Sequence, residues 1–245
     1  MSADRPHKCT VRCHCSSERS VNMSIIHNSR FSIPLYHGTT SAFIESIKAD
    51  GLGAVDPLKE MKAKDLMQAL FDLAEKQNWT DTEWVTSREK LKPLFLQSRT
   101  EIYNFKHGGT YLTYSLELAK LYATDNPFGC EYLQYLRILV KILADRNVPE
   151  IHNFTEHPVL KIWEKPNDPY IVKLEGIKLS DIETEVDVEL SQQIISIENN
   201  LSKGLSDARS FKLTTVIPPE RLEVIRLGSW NDTATELIES NYLEL

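Results

Sequence analysis

The chain has 245 residues, of which 41% are hydrophobic and 26% are charged. This balance is ordinary for a soluble globular domain with a full core. Apolar runs fall well short of the eighteen or so residues that a membrane span needs, so we expect no membrane partner. The formal net charge of -7 repels nucleic acid, which could therefore bind only through a local basic patch.

Residues 1–30 are predicted to form a disordered tail. Cys9, Cys13 and Cys15 lie in it, and because their spacing suits a tetrahedral zinc site poorly, we expect no metal there. The tail also lacks the apolar stretch of a secretory signal. Together with the isolated Cys130, this favours a reducing, cytoplasmic location.

The main domain is predicted over residues 31–228. A short strand at Ile33–Tyr36 runs into the sequence His37-Gly38-Thr39-Thr40. Ser41 can cap a helix that continues to Asp50, and Gly51 can end that helix.

Residues 56–105 are predicted to be a helical insertion, because apolar residues recur there at helical spacing. The overlapping stretch 86–107 carries five basic and two acidic side chains. A solvated helix face is the favoured interpretation of these charges, and a basic patch for RNA or DNA is the alternative.

The second half of the domain is predicted to mix strands and helices. The predicted elements are a strand at Thr110–Thr113, a helix at Leu116–Thr124 capped by Ser115, a helix at Glu131–Ala144, and a strand at Tyr170–Leu174. Phe211–Ile217 and Leu222–Leu227 are predicted to be two strands joined by a tight turn. Residues 229–245 are predicted to be a C-terminal helix or tail.

Ser180–Lys203 allows two interpretations. Acidic residues at alternate positions from 181 to 189 are typical of a strand. Apolar residues also recur every three or four positions, and Ser180 with Glu183 makes a capping box, so we favour a helix. The acidic row is most simply a solvated face, while shielding of a site or attraction of a basic partner are the alternatives.

Some residues of this domain have the chemistry to bind a flat cation. His37 follows a short strand and can bond a sugar hydroxyl, while Gly38 lets a ligand approach the backbone. Tyr111 is predicted on a strand and Tyr122 on the next helix, eleven residues later. Two tyrosines placed this way can enclose a planar cationic ring such as the nicotinamide of NAD.

These motifs resemble those of a known family. Leu35-Tyr36-His37-Gly38-Thr39 resembles the first motif of the diphtheria-toxin-like ADP-ribosyltransferases, the group that includes poly(ADP-ribose) polymerases. Gly109-Thr110-Tyr111-Leu112-Thr113, with Tyr122 downstream, resembles their second motif. The resemblance implies an α+β fold with a split, mostly antiparallel β-sheet, and NAD as the substrate.

The resemblance also implies roles for individual residues. His37 would hold the nicotinamide ribose, and the backbone of Gly38 would hold the carboxamide. Tyr111 and Tyr122 would stack on the nicotinamide ring. Thr39 and Gly109 belong to the same two motifs and are included among the cofactor-binding candidates.

The third motif departs from the family pattern. Relatives place a glutamate at the start of a late strand, where this chain has no glutamate between residues 207 and 212. Asp207, Arg209 and Ser210 are the nearest catalytic candidates, and Glu198 and Glu223 are weaker ones. Ala119 also replaces a serine that many relatives use. These departures put chain elongation in doubt.

The function implied is a mono-ADP-ribosyltransferase acting on a macromolecule, with nucleic acid slightly favoured over protein. Single-domain proteins with this pattern resemble bacterial toxins of toxin–antitoxin or phage-defence systems, which would imply a neutralising antitoxin. The alternatives are an enzyme resembling the RNA 2′-phosphotransferases and a non-catalytic module that binds NAD or a partner.

Overall fold

The computed structural model describes residues 24–95, 109–164, 167–185, 188–205 and 209–228. The strands are β1 (Ile26–His27), β2 (Arg30–Phe31), β3 (Leu35–Thr40), β4 (Tyr111–Thr113), β5 (Pro169–Leu174), β6 (Ile182–Thr184), β7 (Ser210–Leu213) and β8 (Leu222–Arg226). The α-helices are α1 (Ser41–Asp50), α2 (Pro57–Glu60), α3 (Ala63–Lys76), α4 (Thr82–Phe95), α5 (Leu116–Asp125), α6 (Glu131–Asp145), α7 (Pro158–Trp163) and α8 (Leu190–Ser202). Short 3-10 turns lie at Pro149–Phe154, Leu179–Asp181 and Pro219–Arg221.

The fold is α+β and is built on a six-stranded antiparallel sheet with strand order β6-β7-β4-β3-β5-β8. The expected hairpin of the two late strands is wrong, because β7 pairs with β4 and β6 whereas β8 pairs with β5. Between them, Ile217 exchanges backbone hydrogen bonds of 2.9 and 3.0 Å with Leu52. This contact fixes the segment between β7 and β8, so β8 does not fold back to pair with β7.

The sheet is covered on both faces. One face packs on α1 and α8, through buried residues that include Leu35, Ile44, Ile197 and Phe211. The other face packs on α5, where Ala119 and Ala123 meet Ile171 of β5. These side chains remove apolar surface from water on both sides of the sheet, which stabilises the layered arrangement.

A second core lies among the helices. Buried leucines of α3 pack with those of α6, including Leu66, Leu70, Leu136 and Leu139. Phe43 of α1 contacts this core and also the core under the sheet. The segment predicted as a helical insertion, 56–105, thus forms α2, α3 and α4 and packs on α6, while its residues 96–105 lie outside the described ranges.

The predicted tail over residues 1–30 is wrong for residues 24–30. Residues 26–31 form a β1–β2 hairpin, with Ile25 1% exposed beside it. Asn28 and Ser29 have φ of 50° and 58°, which is the two-residue turn that matches the twist of a hairpin. The remaining tail predictions, for residues 1–23 and 229–245, lie outside the described residues.

The prediction of a single helix over 180–203 is also wrong. Residues 182–184 form β6, which pairs with β7, and helix α8 begins only at Leu190. Ile182 is 5% exposed and Glu183 pairs with Lys212 at 2.6 Å. Sheet pairing therefore decides the first half of this segment, and the helical spacing of its apolar residues describes only the second half.

The basic stretch at 86–107 is partly engaged within the chain. Arg88 of α4 donates two hydrogen bonds of 2.8 Å to the two carboxylate oxygens of Glu75 in α3. Arg99 and Lys106 lie outside the described residues. Within the described ranges, no helix is long and apolar enough to cross a membrane.

Candidate functional site

The candidate site begins where β3 and β4 meet. The two strands pair through Tyr36 and Thr113, and beyond this pair Nδ1 of His37 lies 2.9 Å from the carbonyl oxygen of Tyr111. A carbonyl oxygen can only accept, so Nδ1 donates its proton to it. In the neutral ring, Nε2 then remains as a hydrogen-bond acceptor.

The protonation state of His37 follows from its surroundings. Burial lowers the pKa of His37 from its ordinary value, and the hydrogen bond to the Tyr111 carbonyl opposes this only in part. His37 is therefore neutral at pH 7. A fixed, neutral imidazole with a defined tautomer is suited to accept from a sugar hydroxyl.

Gly38 is required by the packing of α5 on the sheet. A Cβ at this position would stand 2.2 Å from the carbonyl oxygen of Ala119 and 2.9 Å from the amide nitrogen of Ala123. It would also stand 3.1 Å from Cβ of Tyr122. The absence of a side chain at Gly38 thus allows α5 to lie directly over β3, with Tyr122 above the residue that follows His37 in the strand.

The local sequence explains how α5 holds Tyr122 there. The hydroxyl of Ser115 accepts a hydrogen bond of 3.2 Å from the amide of Leu118, as predicted, and so caps the start of the helix. Ala119 and Ala123 are fully buried against the sheet. Tyr122 lies on the open side of the same helix and is 48% exposed.

Tyr111 and Tyr122 share one electrostatic environment. Burial raises the pKa of each hydroxyl above its ordinary value, and the charge of Glu185 raises both further. Smaller contributions come from Glu183 for Tyr111 and from Glu131 for Tyr122. Both hydroxyls are therefore protonated at neutral pH, and both lie in a field made by carboxylates.

Glu185 is the residue of this site that sequence reasoning missed. It follows the last residue of β6, and its carboxylate accepts a hydrogen bond from the Ser210 hydroxyl at the start of β7. Glu185 belongs to the acidic row that we interpreted as a solvated face. The alternation of acidic and apolar residues was the signal for it, because a strand at 182–184 brings this segment to the sheet.

The tyrosine and carboxylate groups of the candidate site lie on the sheet face that packs against α5, whereas His37 alternates with Tyr36 and pairs with Val172, a residue of the core on the opposite face. Ser210 pairs with Thr113 and Lys212 pairs with Tyr111, and directly paired residues of antiparallel strands project to the same face. Since β6 pairs Glu183 with Lys212, alternation puts Glu185 on that face as well. The sheet thus brings Ser210, Glu185 and Tyr111 to the side where α5 carries Tyr122.

The other predicted site residues have varied surroundings. Thr39 is 2% exposed, so its side chain packs in the interior. A Cβ at Gly109 would contact the aliphatic part of Lys212 at 3.1 Å. Arg209 is half-buried and immediately precedes β7, while Asp207 lies outside the described residues.

The two weaker carboxylate candidates are engaged elsewhere. Glu198 of α8 accepts hydrogen bonds from the Ser24 hydroxyl at 3.1 Å and from the Ile25 amide at 2.9 Å, which holds the start of the described chain. Glu223 pairs with Lys173 at 2.8 Å on β8, the outermost strand beside β5. Neither contact brings a carboxylate to Tyr111 or Tyr122.

The described part of the site supplies aromatic rings, an imidazole and carboxylates. In the ranges that the structure covers, no group of three or more histidine, cysteine, aspartate or glutamate side chains is placed to hold a metal ion.

The chain matches no family model, no curated protein and no solved structure. The interpretation of the site therefore depends on its geometry and charge.

Proposed function

We propose that the chain is an NAD-dependent mono-ADP-ribosyltransferase with the α+β sheet of that class. The observation that carries the proposal is the juxtaposition of three residues. His37 bonds to the backbone of Tyr111 at 2.9 Å, and the contact of Gly38 with α5 brings Tyr122 over the residue that follows His37. The first half of β3 therefore has a neutral imidazole acceptor on the strand, one tyrosine on the neighbouring strand and a second tyrosine on the helix above, and these groups suit a flat cationic ring attached to a sugar.

The charge of the site supports a cationic ligand. The charge of Glu185 acts on both tyrosine hydroxyls, and that of Glu131 acts on the Tyr122 hydroxyl. A nicotinamide ring in NAD is positively charged, and both the aromatic faces and the surrounding carboxylates attract it. Each ring face contributes about 0.5–2 kcal/mol to such an interaction, depending on how far water is excluded.

In the proposed reaction the nicotinamide–ribose bond of NAD breaks, and its electron pair leaves with neutral nicotinamide. The ribose carbon carries positive charge until a nucleophile of the acceptor attacks it. His37 orients the ribose through Nε2, while Tyr111 and Tyr122 hold the ring. Interactions that strengthen as charge moves onto the ribose are the ones that accelerate the reaction.

The same electrostatics weigh against a 2′-phosphotransferase. That chemistry requires cations around an RNA phosphate, as the resemblance to those enzymes implies. Of the described residues, Arg209 is the arginine that flanks β7, and it stands next to Ser210 and its partner Glu185. A phosphate would be repelled by the carboxylates that favour nicotinamide.

For the acceptor we propose a macromolecule whose reactive group is not itself a phosphate. The ion pair of Arg88 with Glu75 removes one cation from the basic stretch that favoured nucleic acid. A base, a sugar or a protein side chain all remain within this class. We further propose a growth-blocking role in a bacterial cell, with an antitoxin as the neutralising partner.

The proposal is tested by incubating the purified chain with NAD labelled in the ADP-ribose half, with and without cell lysate. We expect label on macromolecules, and digestion with nuclease or protease then identifies the acceptor class. Tyr122→Ala should reduce labelling at least tenfold. Leu121→Ala is the matched control, because Leu121 is the adjacent residue of α5 and is 41% exposed.

Two outcomes would count against the proposal. If NAD binds but is never cleaved in any lysate, the chain is a binding module. If Tyr122→Ala and Leu121→Ala label equally, the labelling does not arise at the described site. In bacteria, induced expression should slow growth, and His37→Ala should restore it at equal protein level.

A further inference from the structure

The carboxylate beside Ser210 suggests a specific role for Glu185. The late strand β7 begins with Ser210, so the chain itself carries a hydroxyl at that position. The antiparallel pairing of Thr184 with Phe211 puts the next residue, Glu185, across from Ser210. The Ser210 hydroxyl donates a hydrogen bond to the Glu185 carboxylate.

This hydrogen bond is shielded and therefore fixes the carboxylate. Ser210 is only 6% exposed, and its carbonyl oxygen accepts a second hydrogen bond of 2.9 Å from the buried amide of Gln193 in α8. Ser210 is thus held from both its side chain and its backbone. A hydroxyl held in this way donates to the carboxylate and thereby restricts that carboxylate to a single position.

Strand pairing places that carboxylate on the sheet face of the proposed nicotinamide pocket. Glu185 follows β6 on the sheet face that carries Tyr111 and packs against α5, and its charge acts on the hydroxyls of both Tyr111 and Tyr122. Glu183, two residues earlier on the same strand, instead forms a 2.6 Å ion pair with Lys212 and is 51% exposed. The two glutamates therefore have different surroundings despite their closeness in sequence.

We propose that Glu185 is the catalytic carboxylate of this site and that Ser210 is its positioning residue. The inference rests on the proposed function. The Glu185 carboxylate stabilises the positive charge that forms on the ribose carbon as nicotinamide departs. When the acceptor's O–H or N–H group attacks that carbon, its proton passes to Glu185 and then to solvent, which balances the step.

The test compares Glu185→Gln with Glu189→Gln, a control four residues later whose side chain is exposed and makes no cap hydrogen bond to α8. Gln keeps the shape of Glu and can still accept from Ser210, so folding is checked by the midpoint of thermal unfolding. We expect Glu185→Gln to lower kcat for transfer by about 100-fold or more, with the dissociation constant for NAD changed less than about threefold. Glu189→Gln should stay within about twofold of the natural chain in both quantities.

The positioning role of Ser210 needs a separate readout. Ser210→Ala should lower kcat by about tenfold and leave KM for NAD nearly unchanged, because the carboxylate remains but is no longer fixed. Ser210→Thr keeps the hydroxyl and should recover most of the loss. A purely structural role for Ser210 would instead lower the unfolding midpoint and affect both kinetic constants.

The outcomes separate this inference from the proposed function. If Glu185→Gln transfers at the natural rate while His37→Ala is inactive, the chain is a transferase and the assignment of Glu185 is wrong. Equal losses in Glu185→Gln and Glu189→Gln would also overturn it, since general acidity of the segment would then be the cause. If the natural chain neither binds nor cleaves NAD, the proposed function fails and takes this inference with it.

Discussion

Replacing Gly38 by alanine is the perturbation whose effect the structure specifies most closely. The new Cβ would stand 2.2 Å from the carbonyl oxygen of Ala119 and 2.9 Å from the amide of Ala123. Ordinary van der Waals separations are about 3.5 Å, so α5 must move away from β3 by roughly 1 Å. Both contacts are with helix backbone, which cannot rotate aside as a side chain would.

Two consequences follow from that displacement. Overpacking of this kind costs about 1–3 kcal/mol, which for a domain of this size lowers the unfolding midpoint by roughly 2–10 °C. Tyr122 moves with α5, and a misplacement of about 1 Å in a site can cost about 100-fold in rate. We therefore expect Gly38→Ala to lose much more activity than stability, as measured by NAD turnover and thermal unfolding.

Gly109→Ala is the appropriate comparison for this experiment. The three heavy atoms nearest to a Cβ there belong to the flexible side chain of Lys212, at 3.1–3.3 Å, and this side chain can shift to make room. The unfolding midpoint of Gly109→Ala should therefore change by less than that of Gly38→Ala. If Gly38→Ala is as stable and as active as the natural chain, the packing of α5 described here is incorrect.

Three further predictions concern titration and stability. Because burial lowers the pKa of His37, its active neutral form persists below pH 6.5. The value of kcat/KM should therefore stay level through pH 6.5 and fall only in more acidic buffer. A loss of kcat/KM that begins above pH 7 would contradict this prediction. The free energy of unfolding should also decrease in acid. His37 becomes protonated at a higher pH in the unfolded chain than in the folded chain, so stability falls as the pH drops below about 6.5. Burial raises the pKa of the Cys130 thiol to about 11. In a variant whose three N-terminal cysteines are replaced by serine, the native protein should therefore react slowly with a thiol reagent at pH 8, and the unfolded protein should react quickly. Rapid labelling of the native protein would refute the burial of Cys130. Asp81 accepts hydrogen bonds of 2.7 and 2.8 Å from the Arg146 guanidinium, and this pairing holds the pKa of Asp81 below its ordinary value of 3.8. Asp81→Asn should therefore lower the unfolding midpoint at pH 7, and its difference from the natural chain should shrink as the pH falls below about 4. An equal difference at both pH values would exclude the ion pair as the source of the effect.

Local signals in the sequence predicted several elements of the fold well. The hydroxyl of Ser115 marks the start of α5, and the apolar spacing after Glu131 marks α6, both of which the structure contains. A cap or a helical repeat acts within a few residues, so the sequence alone records it. The strand at Tyr170–Leu174 is likewise confirmed within β5.

Features that depend on sheet order were not accessible in the same way. The pairing of β7 with β4 and of β8 with β5 is set by contacts between distant parts of the chain. Glu185 was missed for this reason, because its partner Ser210 is 25 residues away. The segment around it carries both strand and helix periodicity, and only the open edge of β7 decides between them.

The most direct test of the central claim is the release of nicotinamide from NAD labelled in the nicotinamide ring. The purified chain should release labelled nicotinamide faster than the background rate, His37→Ala should return the rate to background, and Leu121→Ala should retain it. If the natural chain releases no nicotinamide and does not bind NAD, the juxtaposition of His37, Tyr111 and Tyr122 serves packing, and the proposed transferase is wrong.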